Sequence, residues 1–486
     1  MQVIGDVDVC VVGGGPAGSS LATRLAHLGY QVLVVDQRSF PRSHVGESLS
    51  QGVWPVLESV GVPRSLVQAD AVSVREAAIR WHTDDEQRVA PEGTVTVDRG
   101  RFDEILLDHA RAAGATVLTS VRAVQPRRSA PGWSVPLPDG EVRARFLADA
   151  SGRRRLLGGR PTRVSARMIA LHARWRPGTV EKGSQSWVEA LSDGWLWGAL
   201  LPAGDIRVMA FVDPETLAAE DAERLFRRLL SASPRWSGLV DTLPIAGPVQ
   251  VCDATSYVCA PAVDQDSIRV GEAAFAIDPL SSSGVQTAIQ TALAASATVH
   301  ARLSAGGDGE AGLQYYSELV RTSVTHHAAT AARQYAEHEQ FADRPFWRRR
   351  SAGAERAQLP SPPITPLFAW LPQRVRLHPT AELRTTACLV GDTVEWRRAL
   401  TSPQLDRPVA FLGGAELAPL LEVLASAPTL GAALRRWEEL LPSSLAPQIA
   451  AWLGRHNLLE PVTNLTSPPV SPSLPVSPSL PVITAS

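Results

Sequence analysis

Lysine, cysteine and long apolar runs are scarce in this chain, and each scarcity removes a class of function. Lysine occurs once in 486 residues, at Lys182, although Lys and Arg together number 47. Against 49 Asp and Glu the net charge is -2, with no polycationic segment, so neither nucleic acid nor a membrane surface is an expected partner. The four cysteines, Cys10, Cys252, Cys259 and Cys388, lack CxxC spacing and the density of a disulfide framework. They read as reduced packing residues, and no metal site is expected. No apolar stretch is long enough to span a bilayer, and "MQVIGDVDVCVVGGG" enters a strand without a basic region and a long apolar run. The expected location is the cytoplasm. Of the two G-x-G-x-x-G matches, only Gly13, Gly15 and Gly18 lie between a strand and a helix; Gly307, Gly309 and Gly312 do not, so no second dinucleotide domain is expected to hold a nicotinamide.

What is present begins with a βαβ unit. The run "VDVCVV" ends at glycines, "SSLATRLAHLG" takes helical periodicity, and "YQVLVVD" returns to strand. Gly13, Gly15 and Gly18 fit the dinucleotide fingerprint between that strand and helix, and Asp36 ends the next strand at the spacing of an acidic ribose ligand. Gly13 permits the tight turn, Gly15 lets the backbone approach a pyrophosphate, and Gly18 lets the helix pack on the sheet. The length favours two or three structural units. The expected architecture is α/β: a discontinuous Rossmann-like domain for the dinucleotide (1–165 and 260–345), an inserted mixed β-sheet substrate domain (166–259), a Pro-rich linker (346–384), a small mainly helical C-terminal module (385–461) and a disordered Pro/Ser tail (462–486). The tail repeats "VSPSLP" twice and cannot build a core.

Which dinucleotide is bound follows from segments further along. "GGGPAG", "VDRGRFD" (97–103), "ADASGRR" (148–154) and "VGEAAFAIDPLSSSGVQTAI" (270–289) resemble, in order, the signature segments of the FAD-dependent aromatic hydroxylase and flavin-dependent halogenase superfamily. The resemblance implies FAD as cofactor. It puts Gly13, Gly15, Gly18 and Asp36 on the ADP half, and Arg99 beside the cofactor. Gly271 and Asp278 would face the ribityl chain and pyrophosphate, with Ser283, Gly284 and Val285 opening the helix under the isoalloxazine. Glu272 departs from the family's usual Asp after the first glycine, which bears on the ribityl contact. "HVGESL" is similar to the segment after the second strand in halogenases, making Arg42, His44 and Glu47 candidates at the flavin edge or the substrate; local capping by Glu47 is the alternative.

Halogenases and hydroxylases of this superfamily both start from reduced flavin and oxygen and pass through a flavin C4a-hydroperoxide. A halogenase then uses a lysine amine between flavin and substrate. In the segment resembling the one that carries that lysine, "AVSVREAAIRW" (71–81), the counterpart is Arg75 or Glu76, and a guanidinium stays protonated. The partnering glutamate of tryptophan halogenases maps onto Ser281. The paired tryptophans are similar to Trp195 and Trp197 in "GWLWGALLP", with Pro202 two positions late. A halogenase-like body without the halogenating pair implies oxygen transfer to an electron-rich ring. The C-terminal module has a faint resemblance to winged-helix recognition modules that present peptides, a plain helical cap being the alternative. The combination resembles the tryptophan-hydroxylating monooxygenases of tryptophylquinone cofactor biogenesis. It implies an aromatic substrate, with a tryptophan of a peptide or protein as one form, and NAD(P)H or a flavin reductase as electron source. A halogenase of a phenolic or pyrrolic natural product, a reductase of isoprenoid double bonds and a non-catalytic flavoprotein scaffold are the competing readings.

Overall fold

A strand buried on both faces must be apolar at every position, and the "VDVCVV" run meets that demand. The computed structural model of the protein describes residues 3–175, 185–240, 245–352, 354, 367–405, 407–442 and 444–462. In it the run forms the second half of strand β1 (Val3–Val12). Val9 and Val11 enter one core while Cys10 and Val12 enter another on the opposite face. β1 is the middle of five parallel strands, ordered Thr116–Leu118, β2 (Val32–Val35), β1, Gly140–Asp149 and Ser267–Arg269. Helix α1 (Pro16–His27) joins β1 to β2. The chain then adds Gly140–Asp149 on the other side of β1, so the strand order reverses there. Ligands of open α/β sheets bind at the carboxyl ends of such a switch point. Val12 is in register with Val35 and with Asp149, so Gly13, Asp36 and Ala150 leave the sheet together at that edge.

A second, seven-stranded sheet has the order Gln250–Asp253, Ile169–Trp175, Ile206–Val212, Gly194–Leu200, Ser186–Leu191, Ala77–Arg80 and Gln87–Val89. Its last two strands come from the stretch expected to belong wholly to the FAD-binding domain. Ala77–Arg80 pairs in parallel with Ser186–Leu191, which makes the sheet mixed. Alternation of side chains across the pleat gives each strand two faces. One is packed by Phe226, Leu229 and Trp236 of the segment that follows the sheet's main strands. The opposite face carries two cross-strand rows. The first runs Gln250, His172, Met209, Trp197, and the second Cys252, Ala170, Phe211, Trp195.

The linker was expected to start at 346. Instead Pro345 begins a helix, Pro345–Ser351, in the position where a missing N–H costs nothing. Its Trp347 is fully buried, stacked on His338 at 4.0 Å and meeting Trp81 edge-on. The chain divides into two compact units. The first holds residues 1–360 together with 385–397, where Ala387 and Val394 pack on Ala297, Ala301 and Ala311. The second holds the rest, with three helices, Leu417–Ser426, Leu430–Leu440 and Leu445–Arg455, around Leu421, Trp437 and Ile449. There the strand Val375–Leu377, inside the expected linker, pairs with Leu459–Pro461. Lys182, residues 355–366 and the tail from 463 lie outside the described residues. All four thiols are free, and burial pushes that of Cys10 up to about 12. Among the described residues no helix is long and apolar enough to cross a membrane.

Candidate active site

At the switch point the glycines do three separate jobs. Gly13 has φ +114°, and a Cβ there would come within 2.2 Å of the Ala150 carbonyl oxygen. A Cβ on Gly18 would lie 1.8 Å from the Gly13 carbonyl oxygen, so both positions are closed by backbone. Gly15 differs, because a Cβ there would meet only the Arg42 guanidinium, at 2.7 Å. Gly15 is also the N-cap of α1, with Pro16 next and no side chain capping the first turn. The first-turn amides and the positive end of the helix dipole therefore face open space, as a bound anion requires. That space is a cavity of about 590 Å³.

The loop after β2 is held by a buried carboxylate that sequence reasoning did not single out. Asp103 is fully buried; its Oδ1 accepts from Nε and Nη2 of Arg99 at 3.2 and 3.0 Å, and its Oδ2 from Nε and Nη2 of Arg42 at 3.2 and 2.9 Å. Arg99 also donates to the Val45 and Gly46 carbonyls. Asp103 thus fixes two guanidinium groups at the cavity wall, and through Arg99 it fixes the turn that carries Glu47. The sequence signal was there, since Asp103 ends the quoted segment "VDRGRFD". Asp36 accepts the Gly14 amide at 2.7 Å and the Arg38 amide at 2.8 Å, and lines the cavity.

Glu47 is fully buried. Its Oε2 accepts the Gly46 amide and its Oε1 accepts from Arg207 Nε, both at 2.9 Å. Arg207 Nη1 lies 3.0 Å from His172 Nδ1. Burial, followed by the charges of Arg207 and Arg174, lowers the His172 pKa to about 4. His44 opens into the same cavity; shielding by the surrounding protein and the nearby Arg99 charge lower its pKa, against the Val45 carbonyl. Glu47, Arg207 and His172 thus form one buried chain from the loop to the second sheet. Only its first member was expected.

Across the cavity stand the two rows of the seven-stranded sheet. Trp195 stacks on Phe211 at 3.9 Å and meets Trp81 edge-on, and Trp195 and Trp197 both line the cavity. Arg75 and Glu76 do not line it. Gln185 holds the Arg75 amide, and the Glu76 carboxylate pairs with Arg88. Further along that strand, Ile79 and Trp81 pack with the aromatic cluster instead.

The segment 270–289 closes the cavity. Gly271, with φ +61°, Glu272, Asp278, Ser282, Gly284 and Val285 line it. Asp278 accepts from the Leu280 amide and the Tyr335 hydroxyl, and burial raises the pKa of both Asp278 and Tyr335. Glu272 pairs with Arg153. Ser281 and Ser283 do not line the cavity. The turn Pro279–Ser281 folds back, so the Ser281 hydroxyl donates to the Asp278 carbonyl and Ser283 donates to Ser281. Gly18 is buried under the turn rather than at the cavity wall.

A site with an uncapped helix start, a glycine opposite an arginine and a long cavity ending on an aromatic face fits a dinucleotide whose second half is a flat ring system. Comparison with known proteins agrees. The FAD binding domain family matches residues 6–331. The tryptophan 2-halogenase of Chondromyces crocatus is 30% identical over 348 residues, 66% of this chain and 66% of that enzyme. The chain thus spans just under two thirds of that relative. Among solved structures, the peptidyl tryptophan dihydroxylase QhpG, essential for tryptophylquinone cofactor biogenesis, has a TM-score of 0.71 and 25% identity, covering 93% of this chain and 100% of that one. The flavin-dependent halogenase CmlS shares the fold, with a TM-score of 0.75 at 21% identity over 95% of this chain and 96% of that one. This chain belongs to the FAD binding domain family, with FAD as its cofactor.

Proposed function

We propose that the protein is an FAD-dependent monooxygenase that hydroxylates an electron-rich aromatic ring, the indole of a tryptophan in a peptide or protein being the favoured substrate. The observation that carries this is the character of the cavity wall. Among the described residues that line it there is no amine to take up an oxidised halogen: the positions resembling the halogenase lysine carry Arg75 and Glu76, which lie off the cavity. The one lysine, Lys182, lies outside the described residues. The likeness to the peptidyl tryptophan dihydroxylase over both units supports a polypeptide substrate, with the C-terminal unit as its recognition element.

Gly13, Gly15 and the start of α1 would hold the pyrophosphate, Asp36 the ribose, and Gly284 and Val285 the ring end. Bound and reduced, FAD supplies the activation of dioxygen. The chain's own residues do the rest. Trp195, Phe211 and Trp197 give a flat apolar wall for an aromatic ring and exclude water from it. Arg99 and Asp103 hold the loop 45–47 in place, and positioning of this kind is a large share of the rate advantage of an enclosed site. Electrons come from NAD(P)H or from a partner flavin reductase.

The second reading, a halogenase, is favoured by the 30% identity to a tryptophan 2-halogenase. Both readings are tested by supplying reduced FAD, oxygen and a tryptophan-containing peptide, with and without chloride or bromide, and weighing the product. Added oxygen without a halide requirement supports hydroxylation; halogen in the product overturns it.

A further inference from the structure

We propose that His172 is a ligand-binding residue that offers a fixed Nε2–H donor to a carbonyl oxygen held in the cavity, with Arg207 and Glu47 as its positioning residues. The inference rests on reading the cavity as the site of FAD and its aromatic substrate.

The tautomer follows from donor inventory. A guanidinium has five N–H donors, no acceptor, and does not deprotonate in proteins. Arg207 Nη1 lies 3.0 Å from His172 Nδ1, so Nδ1 must be the acceptor. A neutral imidazole then has its single proton on Nε2. The ring is neutral at ordinary pH, because burial and the charges of Arg207 and Arg174 disfavour the imidazolium. Arg207 cannot swing away to release the ring: its Nε donates to Glu47 Oε1 at 2.9 Å, and the two side chains are 6% and 0% exposed. Glu47 in turn is held by the Gly46 amide. Every link of the chain is occupied except the last.

That last atom belongs to a residue that lines the cavity, which leaves it for a ligand there. His172 lies between Gln250 and Met209 in the row that continues to Trp197, and it lines the cavity. Its Nε2 has no partner among the described residues, and it is not among the buried polar atoms sealed from solvent without one. A donor left without an acceptor when a ligand displaces water costs about 1–3 kcal/mol, so the ligand must bring the acceptor with it. The local charge selects the kind. Glu47 offsets most of the Arg207 charge and Arg174 is loosely paired with Asp98 at 3.9 Å, so the residual positive field disfavours a cation while the single N–H does not require a full negative charge. A neutral carbonyl oxygen is the match; a flavin ring carries one, and so does the peptide backbone that bears an indole.

The test uses the full-length protein, isotope-labelled, with and without FAD. Proton–nitrogen correlation NMR of the imidazoles, assigned by the signal lost in His172→Gln, should show one neutral ring with its proton on Nε2. FAD affinity is then measured for wild type, His172→Phe and His172→Gln, and the binding of N-acetyl-tryptophanamide is measured on the FAD-loaded proteins. If the acceptor is a flavin carbonyl, His172→Phe weakens FAD binding about fivefold to tenfold, the worth of one neutral hydrogen bond, while the donor-retaining His172→Gln stays near wild type. If the acceptor is on the substrate, the same pattern appears in N-acetyl-tryptophanamide binding with FAD affinity unchanged. A proton on Nδ1, an imidazolium at neutral pH, or a His172→Phe protein that binds both ligands as wild type does would overturn the proposal. None of these readouts depends on which reaction is catalysed, so a failure here is separate from a failure of the monooxygenase reading.

Discussion

Removing the Glu47 carboxylate strands a charge, and the structure sets the cost. Arg207 is 5% exposed, and its only other side-chain contact in the buried chain is to a neutral imidazole. Taking away one partner of a buried ion pair leaves the other uncompensated, which costs about 3–5 kcal/mol. Glu47→Ala should therefore destabilise the first unit by about that amount, with a further loss from the released Gly46 amide of ~1 kcal/mol. Replacing both partners by apolar groups is commonly near neutral, so Glu47→Leu with Arg207→Met should recover most of the loss, about 3 kcal/mol of coupling. Glu47→Gln keeps an acceptor for the Gly46 amide and for Arg207, and should cost only ~1–2 kcal/mol. Urea unfolding followed by release of flavin fluorescence measures all three against wild type. A Glu47→Ala protein within about 1 kcal/mol of wild type would refute the reasoning, as would a double variant as unstable as the sum of its parts, since either would mean that the pair is hydrated.

Other expectations follow from the same geometry. Gly15→Val should fold yet lose FAD, because its side chain enters the cavity and meets only Arg42, whereas Gly18→Ala should damage the fold itself against the Gly13 carbonyl; circular dichroism and flavin absorbance separate the two outcomes. The His172 pKa is depressed in the folded state to about 4 from 6.5, so between those values the unfolded chain binds more protons at this residue. Stability should therefore fall as pH drops through that window, and the part due to His172 should be missing in His172→Gln when urea midpoints are compared at matched pH. Lys182→Ala should leave peptide turnover intact, and a variant that keeps FAD but loses halide-dependent turnover would restore the halogenase reading.

The nucleotide half of the fold was legible because its signals are local. Gly13, Gly15, Gly18 and Asp36 lie within one βαβ unit, and the alternation of Val9 and Val11 against Cys10 and Val12 needs only the run itself. The second sheet was legible in part. The strands from Ile169 to Val212 announce themselves by Trp, Val and Leu, but Ala77–Arg80 joins them through a parallel pairing across more than a hundred residues, which no local pattern encodes. The helix at Pro345 was hidden by its proline-rich neighbourhood. At the site, His172 shares the otherwise apolar strand "IALHARW" with Arg174, and Arg207 is the single polar residue of "IRVMAFV". A polar residue on the buried face of a strand needs a partner, and that was the available clue. Nothing in the sequence says that the two meet. Ser281 and Ser283 stood in a motif and looked like wall residues; the backward fold of Pro279–Ser281 turns their hydroxyls toward the backbone and each other.

The central claim is oxygen transfer to an aromatic ring, and product mass tests it most directly. The full-length protein, loaded with FAD and supplied with a reductant, labelled dioxygen, bromide and a tryptophan-containing peptide, should yield a peptide that has gained labelled oxygen on the indole, at a rate indifferent to bromide. A peptide that carries bromine, or one left unchanged while oxygen is consumed, would contradict it.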